Sequence, residues 1–268
     1  MIAMKNMVSP LARRISFVFL LAILLSWSQG GKPAREFYQL TVYRFSNETQ
    51  GKILDNYLQQ ALLPALHRMN IKQVGVFKAI SNDTSAVKSL YVLVPVKSLD
   101  MITKIPAKLN DDKAYRSAAM EYSDAVYTAP PYTRMETILM QAFSLAPQLQ
   151  TPALKAAKKD RVYELRSYES ATEKIFRNKV QMFNEGDEIG LFKKLNFNAV
   201  FYSEVIAGGK MPNLVYMTSF ENMDDRNVHW KSFSAHPDWK KLSAMPEYQH
   251  NVSHIDIIFL RPADYSDL

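Results

Sequence analysis

The chain has 268 residues, enough for one large domain or two small ones with a proper core. Its hydrophobic content of 47% and charged content of 22% are those of an ordinary globular protein. The formal charge of +7 is scattered, with no clustered Lys/Arg face, which argues against a nucleic-acid partner; with no cysteine, disulfides, thiolate nucleophiles and thiolate metal sites are excluded.

Residues 1–30 read as a signal peptide. The basic pair Arg13-Arg14 precedes an apolar run over 15–27, and small residues follow at Ser26, Ser28, Gly30 and Gly31. The run is short for a membrane span. It predicts an exported protein, periplasmic or extracellular, held at a membrane only if the leader is retained.

Residues 36–44 then alternate as a strand, with Tyr38, Leu40 and Val42 on one face and Gln39, Thr41 and Tyr43 on the other. From Ser46 the period changes to that of a helix carrying Leu54, Tyr57, Leu58, Ala61 and Leu66, bent at Pro64. Strands follow at 73–80 and 88–96, a helical region at 98–123 broken near Pro106, and a strand at 133–143. The order is β-α-β-β-α-β. Residues 144–160, with two prolines and little pattern, read as a linker.

The same order then repeats. Tyr163, Leu165 and Ser167 alternate with Glu164, Arg166 and Tyr168; a helix covers 172–195, strands cover 198–206 and 214–220, helices 223–235 and 238–245, and a last strand 253–260. Tyr38-Gln-Leu-Thr-Val-Tyr43 lies over Tyr163-Glu-Leu-Arg-Ser-Tyr168 at an offset of 125 residues, as Ala119-Met120 does over Ala244-Met245. Each half is a ferredoxin-like unit, 35–143 and 161–268, whose sheet has helices on one face only. Two such units in one chain can close their bare faces on each other. The predicted fold class is therefore α+β: two tandem ferredoxin-like units forming an intrachain pseudo-dimeric α/β barrel, as a monomer or as a homodimer.

The second half also holds an aromatic cluster. Arg226, His229, Trp230 and Phe233 fall on one helix face, Pro237 ends that helix, and Asp238 and Trp239 start another turn. Three stretches together carry a resemblance: Tyr163-Glu-Leu-Arg-Ser-Tyr168; Arg226-x3-Trp230-x2-Phe233-x2-His236-Pro237-x-Trp239; and the closing Leu260-Arg-Pro-Ala-Asp-Tyr-Ser266. With these, residues from about 160 to 268 resemble the NIPSNAP family of the dimeric α/β barrel superfamily. The first half is similar in layout but lacks the cluster, reading Asp112-Lys-Ala-Tyr-Arg-Ser117 there. The resemblance implies a barrel with a cavity between sheet and helices and no established reaction; related branches include cofactor-free monooxygenases and haem-degrading enzymes.

For the site, Tyr163, Leu165, Ile255 and Ile257 are expected to meet the helices. The opposite faces, carrying Glu164, Arg166, Tyr168, Tyr202, Glu204, His254 and Asp256, would then point into the barrel. His254 could act as a general acid or base, oriented by Glu204, Asp256 or Glu164, while Arg166 binds an anionic group. The same charges could instead be salt bridges across the seam between the units. Trp230 and Trp239 could be core and cavity wall or could stack on a ligand, and Arg226 and His229 border them. No dinucleotide fingerprint, phosphate loop, His-Glu-x-x-His or nucleophile elbow is present, so neither a cofactor nor a metal is expected, and haem held by a histidine stays open without a motif to support it. Besides a haem-oxygenase-like reading, two functions remain open. One is binding of a small, partly apolar molecule between the two sheets, with cofactor-independent oxygenase-type chemistry; the other is a non-catalytic interaction or scaffold protein with a filled seam.

Overall fold

In β1 (Phe37–Phe45), Tyr38, Leu40 and Val42 point one way and Tyr43 and Phe45 the other, and both sets are buried. A strand apolar on both faces lies between two layers. The computed structural model describes residues 33–268, so the predicted leader lies outside the described residues.

After β1, Asn47 caps α1 (Glu48–Asn56) by accepting the Gln50 N–H. Pro64 has no N–H to offer Gln60, and just before it the helix widens into a π-helical stretch (Tyr57–Leu62), with the Leu63 N–H reaching Leu58 O. It continues as α2 (Leu63–Arg68). Next come β2 (Gly75–Ala79), β3 (Lys88–Val96), α3 (Leu99–Asp111), α4 (Lys113–Ala118), α5 (Met120–Ser123) and β4 (Arg134–Ala142). The break expected at Pro106 falls at Asp112 instead. There the backbone leaves the helical region and the side chain caps α4 through Tyr115 N–H.

The second unit has β5 (Val162–Glu169), α6 (Glu173–Asn184), α7 (Glu188–Lys194), β6 (Phe201–Ala207), β7 (Asn213–Phe220), α8 (Met223–Ala235), α9 (Pro237–Ser243) and β8 (His254–Pro262). The helix expected over 172–195 is two helices, because Asp187 takes a left-handed conformation (φ 63°) after Gly186. His236 caps α9, its Nδ1 accepting the Asp238 N–H.

The eight strands close into an antiparallel barrel in the order β1-β3-β2-β8-β5-β7-β6-β4. Each unit contributes a four-stranded sheet, β4-β1-β3-β2 and β8-β5-β7-β6, the ferredoxin-like arrangement. The sheets join where β2 pairs with β8 (Ala79 opposite Leu260) and β4 with β6 (Gln141 opposite Glu204). The inward faces meet in one apolar cluster that includes Tyr38, Leu40, Phe77, Leu93, Met140, Tyr163, Leu165, Phe201, Met217 and Leu260. Two further clusters lie between each sheet and its own helices.

Residues 144–160, the expected linker, lie against the barrel. Leu149 and Leu154 pack on the barrel cluster, Gln150 N–H donates to Val200 O, and the Glu221 carboxylate accepts the N–H groups of Lys155 and Ala156. Residues 34–268 form a single compact body. Among the described residues no helix is long and apolar enough to cross a membrane.

Candidate functional site

The pairing of β5 with β8 sets Tyr163 opposite Leu260 and Leu165 opposite Ile258, all four in the barrel interior. Glu164, Arg166 and Tyr168 therefore face the helices, sharing that side with Phe259, Ile257 and Ile255. This reverses the orientation expected for β5, whereas Ile255 and Ile257 of β8 lie on the helix side as expected. Alternation identifies which residues share a face but not which layer the face meets, and here the bulky apolar residues fill the barrel while Glu164 finds its partners on α8.

Glu164 is fully buried. Its carboxylate accepts Nε of Arg166 (2.7 Å), Nε and Nη2 of Arg226 (both 2.8 Å) and Nε1 of Trp230 (2.7 Å). Burial alone would raise its pKa; the Arg226 hydrogen bonds and the two guanidinium charges outweigh that and hold it below the ordinary carboxylate value. Arg166 reaches Glu164 along β5 itself, and Arg226 and Trp230 reach it from α8, which Asn222 caps. Arg166 lies 3.6 Å from the centre of the Trp230 ring and donates through Nη1 to the Tyr168 hydroxyl at 3.0 Å. That hydroxyl is 2.9 Å from the hydroxyl of Tyr216.

Beside this network a cleft of about 670 Å³ opens between the outer face of β5 and β8, helices α6, α7, α8 and α9, and the segment 248–252. Arg166, Tyr168, Lys179 and Glu188 supply polar groups to its wall; Met182, Trp230, Phe233, Trp239 and Ile255 supply apolar surface. Lys179 and Glu188 form a buried ion pair at 2.9 Å, with the ammonium 4.7 Å from the centre of the Phe183 ring. Burial pushes Glu188 above the ordinary carboxylate value, against the pull of Lys179. The sequence did not single out this pair. The available signal was a lysine on the apolar face of α6, three residues after Phe176 and four before Phe183.

The remaining expected site residues are dispersed. Tyr202 is buried on the helix side, stacked 5.7 Å from Tyr216, and burial pushes its hydroxyl well above the usual range. Arg226 stands behind Glu164 rather than in the cleft wall. His229 turns its Nδ1 to Asp225 and its ring edge to Phe197 and Phe220, away from the cleft. Glu204 bonds to Arg35 at 2.5 Å. His254 and Asp256 are 3.2 Å apart, but β5 and β7 stand between their strand and that of Glu204. The expected grouping of His254, Glu204 and Asp256 is thus not assembled. Asp256 sits at one mouth of the barrel with Arg44, Glu136 and Lys210, around a void of only about 90 Å³. The Lys210 ammonium bonds to Asp256 and holds its pKa down. Among the described residues, Glu169, His254 and Asp256 could offer metal ligands within 4.8 Å of one another, with Lys210 already against that cluster. Between the two sheets, where the sequence placed a chamber, an apolar cluster surrounds that small void, and the cleft between sheet and helices offers more space.

Residues 163–267 match the NIPSNAP family model. No curated protein matches the chain. Among solved structures, the chain is similar to a proposed monooxygenase of Lactobacillus acidophilus NCFM (9% identity, 85% of this chain and 94% of that one, TM-score 0.56). A proposed monooxygenase of Fusobacterium nucleatum is similar over 85% of this chain and 93% of its own, at 6% identity and a TM-score of 0.53. A NIPSNAP family protein of unknown function from Agrobacterium tumefaciens aligns over 41% of this chain and 96% of its own, at 22% identity and a TM-score of 0.35. The first two likenesses establish a shared fold.

Proposed function

We propose that this protein, which carries a NIPSNAP domain over residues 163–267, binds a small, partly apolar molecule in the cleft between the second sheet and its helices. The observation that carries this is the cleft itself. At about 670 Å³ it has the size of a ligand pocket, with aromatic walls and polar groups held in place by the Glu164 network. Ser234 lines it from α8, so Ser234→Trp should plug it. Purified protein incubated with a cell extract and measured by native mass spectrometry is expected to retain a small molecule that the Ser234→Trp variant loses. Retention undiminished by the plug would sink this reading.

The finer reading, cofactor-independent oxygenase-type chemistry on that ligand, draws on the shared fold with two proposed monooxygenases. Its test is a mass gain on the retained molecule under air and none under argon. The apolar packing of the barrel interior and the mutual pairing of the buried charges favour a second reading, a non-catalytic interaction protein. That reading expects the ligand to come off unchanged. The apolar run within residues 1–30 supports export to the periplasm or beyond, testable by N-terminal sequencing of the mature protein.

A further inference from the structure

The hydroxyl of Tyr216 is fully buried, and its partner among the described residues is the Tyr168 hydroxyl at 2.9 Å. If Tyr168 gave its proton to Tyr216, the proton of Tyr216 would be buried with no acceptor, at the full desolvation cost of a lost hydrogen bond. The favoured arrangement is therefore the opposite, with Tyr216 donating. Tyr168 then accepts twice, from Tyr216 and from Arg166 Nη1 at 3.0 Å, which occupies both lone pairs of its oxygen. Its own proton finds no acceptor among the described residues, while its side chain lines the cleft.

The charge balance points the same way. Arg166, Arg226 and Lys179 stand against Glu164 and Glu188, which leaves one positive charge uncompensated in the network that backs the cleft. We infer that the ligand is an amphiphilic organic anion whose charged oxygen, a carboxylate, sulfonate or phenolate, accepts the Tyr168 proton as a hydrogen bond. Its apolar body would lie along Trp230, Trp239 and Ile255. This rests on the cleft being the binding site. Tyr168 would then be the residue selecting the head group, on a strand whose backbone is held on both sides by β7 and β8.

Two fluorescent probes with one skeleton separate the possibilities: 8-anilinonaphthalene-1-sulfonate, and N-phenyl-1-naphthylamine, which lacks the sulfonate. Two of the chain's three tryptophans, Trp230 and Trp239, line the cleft, so energy transfer from tryptophan reports binding there. The full chain is expected to bind the sulfonate about tenfold or more tightly than the neutral probe, as a charge-assisted hydrogen bond implies. Tyr168→Phe should remove most of that preference and leave the neutral probe within about twofold of its original affinity. Equal affinity of the unaltered protein for both probes overturns the inference while leaving the cleft reading standing, and needs no variant to fold. An unchanged preference in folded Tyr168→Phe overturns the role of Tyr168. Failure of both probes to show energy transfer would overturn the cleft reading as well.

Discussion

Tyr163 of the second unit packs on Phe77 of the first, ring centres 4.8 Å apart, inside the barrel. The relation is repeated by symmetry: Tyr38 of the first unit packs on Phe201 of the second at 5.2 Å. Each half thus places the opening tyrosine of its first strand against a phenylalanine of the other half, where a lone ferredoxin-like sheet would meet water. Phe77→Ala should cost about 3–5 kcal/mol, as for other buried aromatics truncated in a core. The Tyr163 hydroxyl is buried with no hydrogen-bond partner among the described residues, so Tyr163→Phe should be neutral or slightly stabilising. Urea denaturation of the two variants checks both; a large loss in Tyr163→Phe would mean that the hydroxyl has a partner.

Glu164 is the one carboxylate between two arginines and an indole, so Glu164→Gln leaves buried cations undercompensated. A loss of about 3–5 kcal/mol at neutral pH is expected, the range found when one partner of a buried pair is removed. The pH dependence follows from the depressed pKa. Its contribution is fully present above the ordinary value of 4.5 and is lost as pH falls through the lowered folded value. The stability gap between parent and Glu164→Gln should therefore narrow on the acid side, below pH 4.5, and stay flat above it. A gap independent of pH down to the acid transition would show that Glu164 is not ionised in the folded protein.

His254 was the sequence's foremost acid–base candidate, and the structure puts it on the barrel rim with 59% of its side chain exposed. His254→Ala should change stability by no more than about 0.5 kcal/mol. Binding of the neutral naphthylamine probe in the cleft should be unaltered. If that affinity drops severalfold, the rim and the cleft act together and the dispersed picture of the site is wrong.

The elements themselves were legible. Lys88–Val96 and Met223–Ala235 run where the alternation and the helical period place them, and the duplicated order implied the closed barrel. What was hidden is the sense of each face. Leu165 and Arg166 are neighbours with opposite destinations, and only the strand register with β8 and the partners on α8 decide which of them enters the barrel. Nor can periodicity find a polar pair inside an apolar helix face, since Lys179 is buried by the company of Glu188 and the surrounding rings rather than by its own preference. His254 and Asp256 share the parity of the interior residues Ile258 and Leu260, but lie at the strand's end, where the interior opens to water.

Trp230 joins the buried network to the cleft, so two truncations of it should separate the two roles. Trp230→Phe keeps an aromatic ring under Arg166 but loses the 2.7 Å indole hydrogen bond to Glu164. Because the acceptor is charged and buried, that loss should cost about 1.5–3 kcal/mol. Trp230→Ala also removes the ring's contacts with Phe192, Phe197 and Phe233 and should cost about 3–5 kcal/mol. The two denaturation midpoints, taken with the slopes unchanged, measure this difference directly. Equal losses in the two variants would mean that the hydrogen bond to Glu164, and not the packing of the ring, anchors α8 to the sheet.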